Sequence, residues 1–537
     1  MPTPRPKIAA LDLTDVTIDD AFWAPRLETN REATLPYCEQ RCRDTGRLAA
    51  LKQGWKPGRS NPPHRFYDSD VAKWMEACAY SLKTHPDPKL EKRMDRLIAQ
   101  YEAAQQPDGY LNTYFTVCAP DQRWSDLLYA HELYCAGHLM EAAVAYFDAT
   151  GKRRFLDVMC RCADRIDSVF GRGKGKRRGY PGHEEIELAL VRLYHATGEK
   201  RYLKLAKYFV DERGRKPNYF VREAKAREAK IDERALESVQ AHRPVREQET
   251  MEGHAVRAMY LLAGMADVAG ETGDEELFAA CKRLWKNTTT RRMYVTGGVG
   301  SAYSGETFTF DYDLPNETAY AETCAAIALV FVAQRMLQIE PDGEYADVME
   351  RALYNGLISG VSMDGGHFFY VNPLSVDPRR RHHLLSERQA VRGTGRRPWF
   401  DCACCPTNIV RFLAAFGQYV YSKGPSALYV HLYATGSAAA EVGGKPVRVR
   451  QETKYPWDGK VSLTVEPESP ASFSLMLRIP GWCKEYTLKV DGERVEAPVS
   501  KGYARLKRSW EGGEKVELEM AMPVERITAA LAEEIRT

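Results

Sequence analysis

The sequence predicts a multi-domain α plus β protein in which a closed ring of helical hairpins precedes an antiparallel β-sandwich. Between about Asp70 and Leu357 apolar residues recur at helical spacing, three of these segments share one internal pattern, and from about Ser426 the apolar period becomes two. At 537 residues the chain exceeds what one small core needs, so two or three domains are expected.

Residues 1–20, with the acidic Asp12, Asp15, Asp19 and Asp20, read as a short extended entry, with the sandwich as its packing surface. Val71 to Tyr80 and Leu90 to Ala104, separated by Pro86 and Pro88, form the first helical hairpin. Three further units resemble one another. His138 leads an apolar helix to Thr150-Gly151 and then Phe155-Leu156; His183 leads to Thr197-Gly198 and Tyr202-Leu203; His254 leads to Thr272-Gly273 and Leu277-Phe278. Helical hairpins of this kind bury their apolar faces by closing into a ring with one helix of each pair inside. His138, His183 and His254 would then converge at its mouth, although each alone could equally cap or pack beside a helix start. The charged run from Arg222 to Lys230 reads as a solvated face.

The later segments, among them Val447-Arg-Val-Arg, Val461-Ser-Leu-Thr-Val and Val516-Glu-Leu-Glu-Met, alternate apolar and polar residues between turns such as Asp458-Gly459 and Asp491-Gly492. Such strands read as a sandwich. The boundary falls near 420–426. The expected division is an entry over 1–20, the helical domain over 21–422, the sandwich over 423–527 and a tail over 528–537, read as a short helix.

Composition is that of an ordinary globular protein, and 76 Lys plus Arg against 73 Asp plus Glu give +3, no basis for a nucleic-acid partner. No apolar run approaches the roughly 18 residues of a membrane span, and none near the amino terminus has the length of a signal-peptide core. Thirteen cysteines, several in apolar patterns such as Cys78, Cys135 and Cys281, favour a reducing compartment. A cytoplasmic protein without membrane or nucleic-acid partners is expected, and a homodimer is left open.

Asp401 to Asn408 carries three cysteines in four positions, Cys402, Cys404 and Cys405, and thiols this dense usually hold a metal or perform chemistry. Glu322 and Cys324 lie about eighty positions upstream. Glu322, Cys324, Cys404 and Cys405 would complete a tetrahedral zinc shell, although thiolate-rich sites also accept iron. Residues two apart reach one ion only from irregular or extended backbone. Zinc with three thiolates is a poor Lewis acid that keeps sulfur ionised, so one sulfur could act as a nucleophile. Glu306, flanked by Gly305 in an aromatic and acidic loop that includes Asp311 and Asp313, suits sugar binding and acid/base work. Asp311 and Asp313 could equally orient a turn.

The stretch from Glu306 to Cys324, Gly253-His-Ala-Val-Arg-Ala258 and Cys404-Cys-Pro-Thr-Asn408 together resemble glycoside hydrolase family 127, the β-L-arabinofuranosidases. Phe66 to Trp74 and Gln106-Pro-Asp-Gly-Tyr-Leu111 are similar to its other signatures, and the likeness spans roughly 15–525. The resemblance implies an (α/α)6 barrel followed by β-sandwich material, and retaining hydrolysis by a zinc-held cysteine. Cys404 would be the nucleophile and Glu306 the acid/base. Glu322, Cys324 and Cys405 would complete the Zn2+ ligands, while His138, His183, His254, Glu350 and Tyr370 would line the sugar pocket. The implied substrate is a small oligosaccharide or glycoside ending in β-L-arabinofuranose or a similar furanose. Two features depart from the family pattern: a further sandwich module does not follow, and a basic stretch runs from Arg379 to Arg397. The latter is a solvated loop or a feature favouring an acidic branched sugar. A carbohydrate-binding protein with structural zinc is the remaining alternative.

Overall fold

The computed structural model describes residues 3–375, 379 and 395–528. Among the described residues, twelve helices of ten residues or more make up the first part. They are α1 (Leu35–Asp44), α2 (Tyr67–Thr84), α3 (Pro88–Ala104), α4 (Glu132–Thr150), α5 (Arg154–Val169) and α6 (Ile186–Thr197), then α7 (Lys200–Glu212), α8 (Ala255–Thr272), α9 (Glu275–Arg291), α10 (Thr323–Ile339), α11 (Gly343–Ala352) and α12 (Cys404–Ala414). Shorter helical segments intervene.

Six of them pack in a cycle, α2 on α4, α4 on α6, α6 on α8, α8 on α10, α10 on α12 and α12 back on α2, while α3, α5, α7, α9 and α11 each pack outside the inner helix before them. Helix α1 packs against α2 and α12. The pattern explains the sides. Helix α4 is buried continuously from Glu132 to Tyr146, whereas α5 buries one stripe that includes Phe155, Leu156, Val158, Met159 and Cys162. The Thr-Gly stops work as expected: Gly151, Gly198 and Gly273 take left-handed backbone after α4, α6 and α8, accepting a conformation that costs other residues energy. At Gly137 a side chain would meet Ile186 N at 2.9 Å, so its absence lets α4 approach the start of α6.

Between the entry and α2 the chain is more helical than the apolar spacing suggests. Helices also form over Trp23–Thr29, α1 and Arg47–Ala50. Their charged, half-exposed composition hides the helical period, while α1 packs on α2 and α12 and Arg47–Ala50 packs on α1 and α2.

Two sheets make up the remainder. One runs, in spatial order, Ala9–Ala10, Tyr421–Gly424, Ala427–Val430, Ala471–Arg478, Tyr503–Trp510 and Val499–Ser500; the other runs Glu493–Arg494, Tyr486–Val490, Glu514–Met520, Lys460–Pro467, Lys445–Thr453, Gly436–Val442 and Val16–Ile18. Alternating burial along Glu514–Met520 follows the period of two. The entry strands pair with both sheets, Ala10 opposite Ser422 and Thr17 opposite Ser437. Arg478 reaches from its strand to Asp347 and Glu350 on α11, tying sheets to helices. No helix among the described residues is long and apolar enough to cross a membrane. Most of the 379–397 stretch and nearly all of the expected terminal helix lie outside the described residues.

Candidate active site

Two helix starts create the centre. Glu322 is the extended residue capping α10, at φ −61° and ψ 137°, with Cys324 in the first turn. Cys404 and Cys405 are the first two residues of α12, the neighbouring helix. Leaving the helix at Glu322 is what lets a residue two positions from Cys324 face the same point. Both helix starts present positive dipole ends, which favour anionic ligands.

Sulfur to sulfur distances are 3.4 Å for Cys324–Cys405 and 3.9 Å for Cys404–Cys405, and Glu322 Oε1 lies 3.5 Å from Cys404 Sγ and 3.4 Å from Cys405 Sγ. A tetrahedral ion with bonds of about 2.3 Å to sulfur has edges of about 3.8 Å, so these spacings are within a few tenths of an ångström of a zinc shell. All four ligand atoms lie within 4.8 Å of one another. Burial raises the Glu322 carboxyl well above its usual range, and the charges of Cys404 and Glu306 push the same way. Its buried Oε2 has no hydrogen-bond partner. A buried carboxylate among three thiols is what a divalent cation would neutralise. Burial also pushes the Cys324 thiol up, but hydrogen bonding with Cys404 and Cys405 outweighs it and brings the thiol down to about 7.

Glu306 approaches from the loop between α9 and α10. It follows Gly305 in left-handed backbone, with φ of 57° for Glu306 itself, an uncommon conformation for a non-glycine residue that aims the side chain. His254 Nε2 lies 2.7 Å from Glu306 Oε2, and the Tyr320 hydroxyl donates to Oε1 at 2.6 Å. Burial acts upward on this carboxyl, yet the His254 and Tyr320 hydrogen bonds and the charges of His254 and Arg257 bring it down to about 2.

A cavity of ≈ 730 Å³ joins these groups, its wall including Cys404, Cys324, Glu322, Glu306, His254 and Tyr370. The Tyr370 hydroxyl lies 3.1 Å from Cys404 Sγ. His183 lines the cavity as well, and its ring is 5.7 Å from that of His254.

Two of the expected pocket residues lie elsewhere. His138 is two turns inside α4, fully buried, with Nδ1 2.9 Å from Glu185 Oε1. The residue at the start of α4 is His131, which lines the cavity with its ring 5.5 Å from His183. Counted back from the Thr-Gly stop, His131 is nineteen residues from Thr150, His254 eighteen from Thr272 and His183 fourteen from Thr197, against twelve for His138, so spacing alone does not separate them. Glu350 is on the outer helix α11, where it meets Arg478 and Trp482 of the sheet region instead of the cavity. Sequence reasoning assigned no role to Tyr320, Arg257 and Tyr134, all cavity-lining or bonded to groups that are, and Cys402, the third cysteine of the cluster, lines the cavity too. Asp311 pairs with Arg291 and Arg292 and so holds the loop.

A family model described as the beta-L-arabinofuranosidase GH127 catalytic domain matches residues 15–418, and the GH127 middle domain matches 427–522. The chain belongs to glycoside hydrolase family 127. It is therefore an enzyme, a glycoside hydrolase of the β-L-arabinofuranosidase family. A non-reducing end beta-L-arabinofuranosidase of Bifidobacterium longum subsp. longum is 43% identical over 484 residues, 86% of this chain and 72% of that protein. Among solved structures of the family, a GH127 beta-L-arabinofuranosidase from Geobacillus stearothermophilus T6 superposes with a TM-score of 0.93 at 51% identity, covering 96% of this chain and 83% of the other. A second GH127 beta-arabinofuranosidase gives 0.87 at 39% identity, covering 97% and 82%.

Proposed function

We propose that the chain is a zinc-dependent, retaining exo-glycosidase that releases terminal β-L-arabinofuranose, with Cys404 as nucleophile and Glu306 as acid/base. The carrying observation is one cavity in which a cysteine of a four-ligand cluster and a clamped carboxyl both face the sugar space. The name of the 43% identical relative supports the sugar. We also read the cycle of inner helices with its outer partners as an (α/α)6 barrel over 21–422, and the two sheets over 423–527 as a sandwich.

Glu322, Cys324, Cys404 and Cys405 would hold the metal. The chemistry such an ion would supply is an ionised Cys404 sulfur at neutral pH that is also a better leaving group. In the first half-reaction the glycosidic C–O bond breaks, its oxygen takes the proton of Glu306, and the anomeric carbon bonds to Cys404 Sγ. In the second, Glu306 as carboxylate removes a proton from water, whose oxygen displaces the sulfur, so two inversions retain configuration. The resting environment favours the carboxylate. Substrate filling the cavity excludes water, and desolvation, the largest influence on this group, acts toward the protonated form needed first. His131 and His183, with Tyr370, would bind sugar hydroxyls, while His254 holds Glu306. Thirteen unpaired cysteines support the cytoplasm as its compartment.

The test is hydrolysis of nitrophenyl β-L-arabinofuranoside followed by NMR, beside metal analysis of the purified protein. β-L-arabinofuranose as the first anomer and about one zinc per chain are expected. An inverted first product, or full activity in metal-free protein, would refute the reading.

A further inference from the structure

Both oxygens of Glu306 are engaged, and by donors of different kinds. The backbone N–H of Val256 donates to His254 Nδ1 at 3.2 Å, so the neutral ring carries its proton on Nε2 and gives it to Glu306 Oε2. A proton placed on Oε2 would confront that N–H. The acid form of Glu306 must therefore carry its proton on Oε1. There it meets the Tyr320 hydroxyl at 2.6 Å, and a hydroxyl, unlike an N–H, can either donate or accept.

Tyr320 is also connected to the other reacting group. Its ring stands edge-on to Tyr370 at 6.3 Å and 61°, and the Tyr370 hydroxyl is 3.1 Å from Cys404 Sγ. Tyr303, two residues before Gly305, also packs edge-on to Tyr320 at 5.6 Å and 65°. Two edge-on tyrosines thus span the distance from the acid/base oxygen to the nucleophilic sulfur, each ending in a hydroxyl on one of them.

We infer that Tyr320 is a positioning residue that selects Oε1 of Glu306 as the proton-delivering oxygen and, through Tyr370, spaces it from Cys404. The inference rests on the acid/base role proposed for Glu306. As the glycosidic C–O bond breaks, the leaving oxygen takes the Oε1 proton and the C–S bond forms. Tyr320 keeps its own proton throughout and only turns its hydroxyl to donate to the new carboxylate.

The test is Tyr320→Phe assayed with aryl β-L-arabinofuranosides graded from dinitrophenyl to methoxyphenyl. A dinitrophenolate leaves without protonation and a methoxyphenolate does not, so misplacing the proton should grade the loss. We expect kcat/KM to fall less than about threefold with the former and about 30- to 100-fold with the latter, at unchanged zinc content and melting temperature. A loss equal across the series, or none, overturns the inference. A crystal structure of Tyr320→Phe decides independently: the Glu306 carboxyl should turn from its His254-bonded pose, and an unmoved carboxyl overturns the proposal. Absence of hydrolysis by the unaltered enzyme would instead refute the proposed function, with the crystal structure still judging the positioning role.

Discussion

Cys324 and Cys405 bring their sulfurs to 3.4 Å although 81 positions separate them in sequence. Each is in the first turn of a helix, and the helices are neighbours in the inner cycle, so the cycle itself assembles the ligands. Replacing either cysteine by Ser should reduce bound zinc from about one per chain to about a tenth and lower the melting temperature. Metal analysis and thermal unfolding check this; full zinc content in Cys324→Ser would remove that residue from the shell.

Zinc affinity should depend on pH in one direction. With Cys324 at about 7, protons occupy the site below that value and must leave before a metal binds. Burial holds the Cys405 thiol well above its usual value, so affinity measured by competition with a chromophoric chelator should keep rising above neutrality, and below it should fall more steeply as Cys324 also takes a proton. An affinity rising toward acid would contradict the ligand set.

Glu306→Gln keeps the shape of the side chain but has no transferable carboxyl proton. Turnover of an unactivated arabinofuranoside should fall about 10³- to 10⁴-fold, with zinc content and melting temperature unchanged. Retention of more than a tenth of the activity would mean that another group protonates the leaving oxygen.

His131 and His138 should separate binding from folding. His131→Ala is expected to raise KM about tenfold with little change in stability, since the side chain faces the cavity. His138→Ala removes a wholly buried ring and should cost about 1–3 kcal/mol of unfolding free energy, leaving KM near its original value. Steady-state kinetics and urea titration of both variants decide; the opposite pattern would restore His138 to the pocket.

Beneath the cavity, Arg411 of α12 bonds Glu76 of α2 at 2.7 Å and Tyr260 of α8 at 3.0 Å, all buried. Arg411→Met leaves Glu76 without its most enclosed counter-charge, and denaturant unfolding should show a loss of about 3–5 kcal/mol. A change under about 1 kcal/mol would mean that Arg192, 3.2 Å from Glu76, suffices alone.

Features set by short stretches were legible in advance. The Thr-Gly stops, the shift to a period of two near Ser426, and the pairs Glu322/Cys324 and Cys404/Cys405 needed only neighbouring residues to be read. Tyr320 and Arg257 were not legible, because a tyrosine or arginine in a helical protein has many ordinary uses and only a carboxyl brought from another segment gives these two a role. Glu350 misled for the converse reason: its partner Arg478 comes from a strand 128 positions later.

By itself the sequence determined the order of helices and strands, the places where helices stop, and which soft and hard ligands were available, since periodicity, left-handed glycines and residue chemistry act over a few positions. Tertiary structure alone decided which histidine faces the cavity, which oxygen of Glu306 meets Tyr320, and that Glu322, Cys324, Cys404 and Cys405 come together. Those outcomes depend on how far each inner helix extends and on its closing against partners distant in the chain, and burial of their apolar faces settles both.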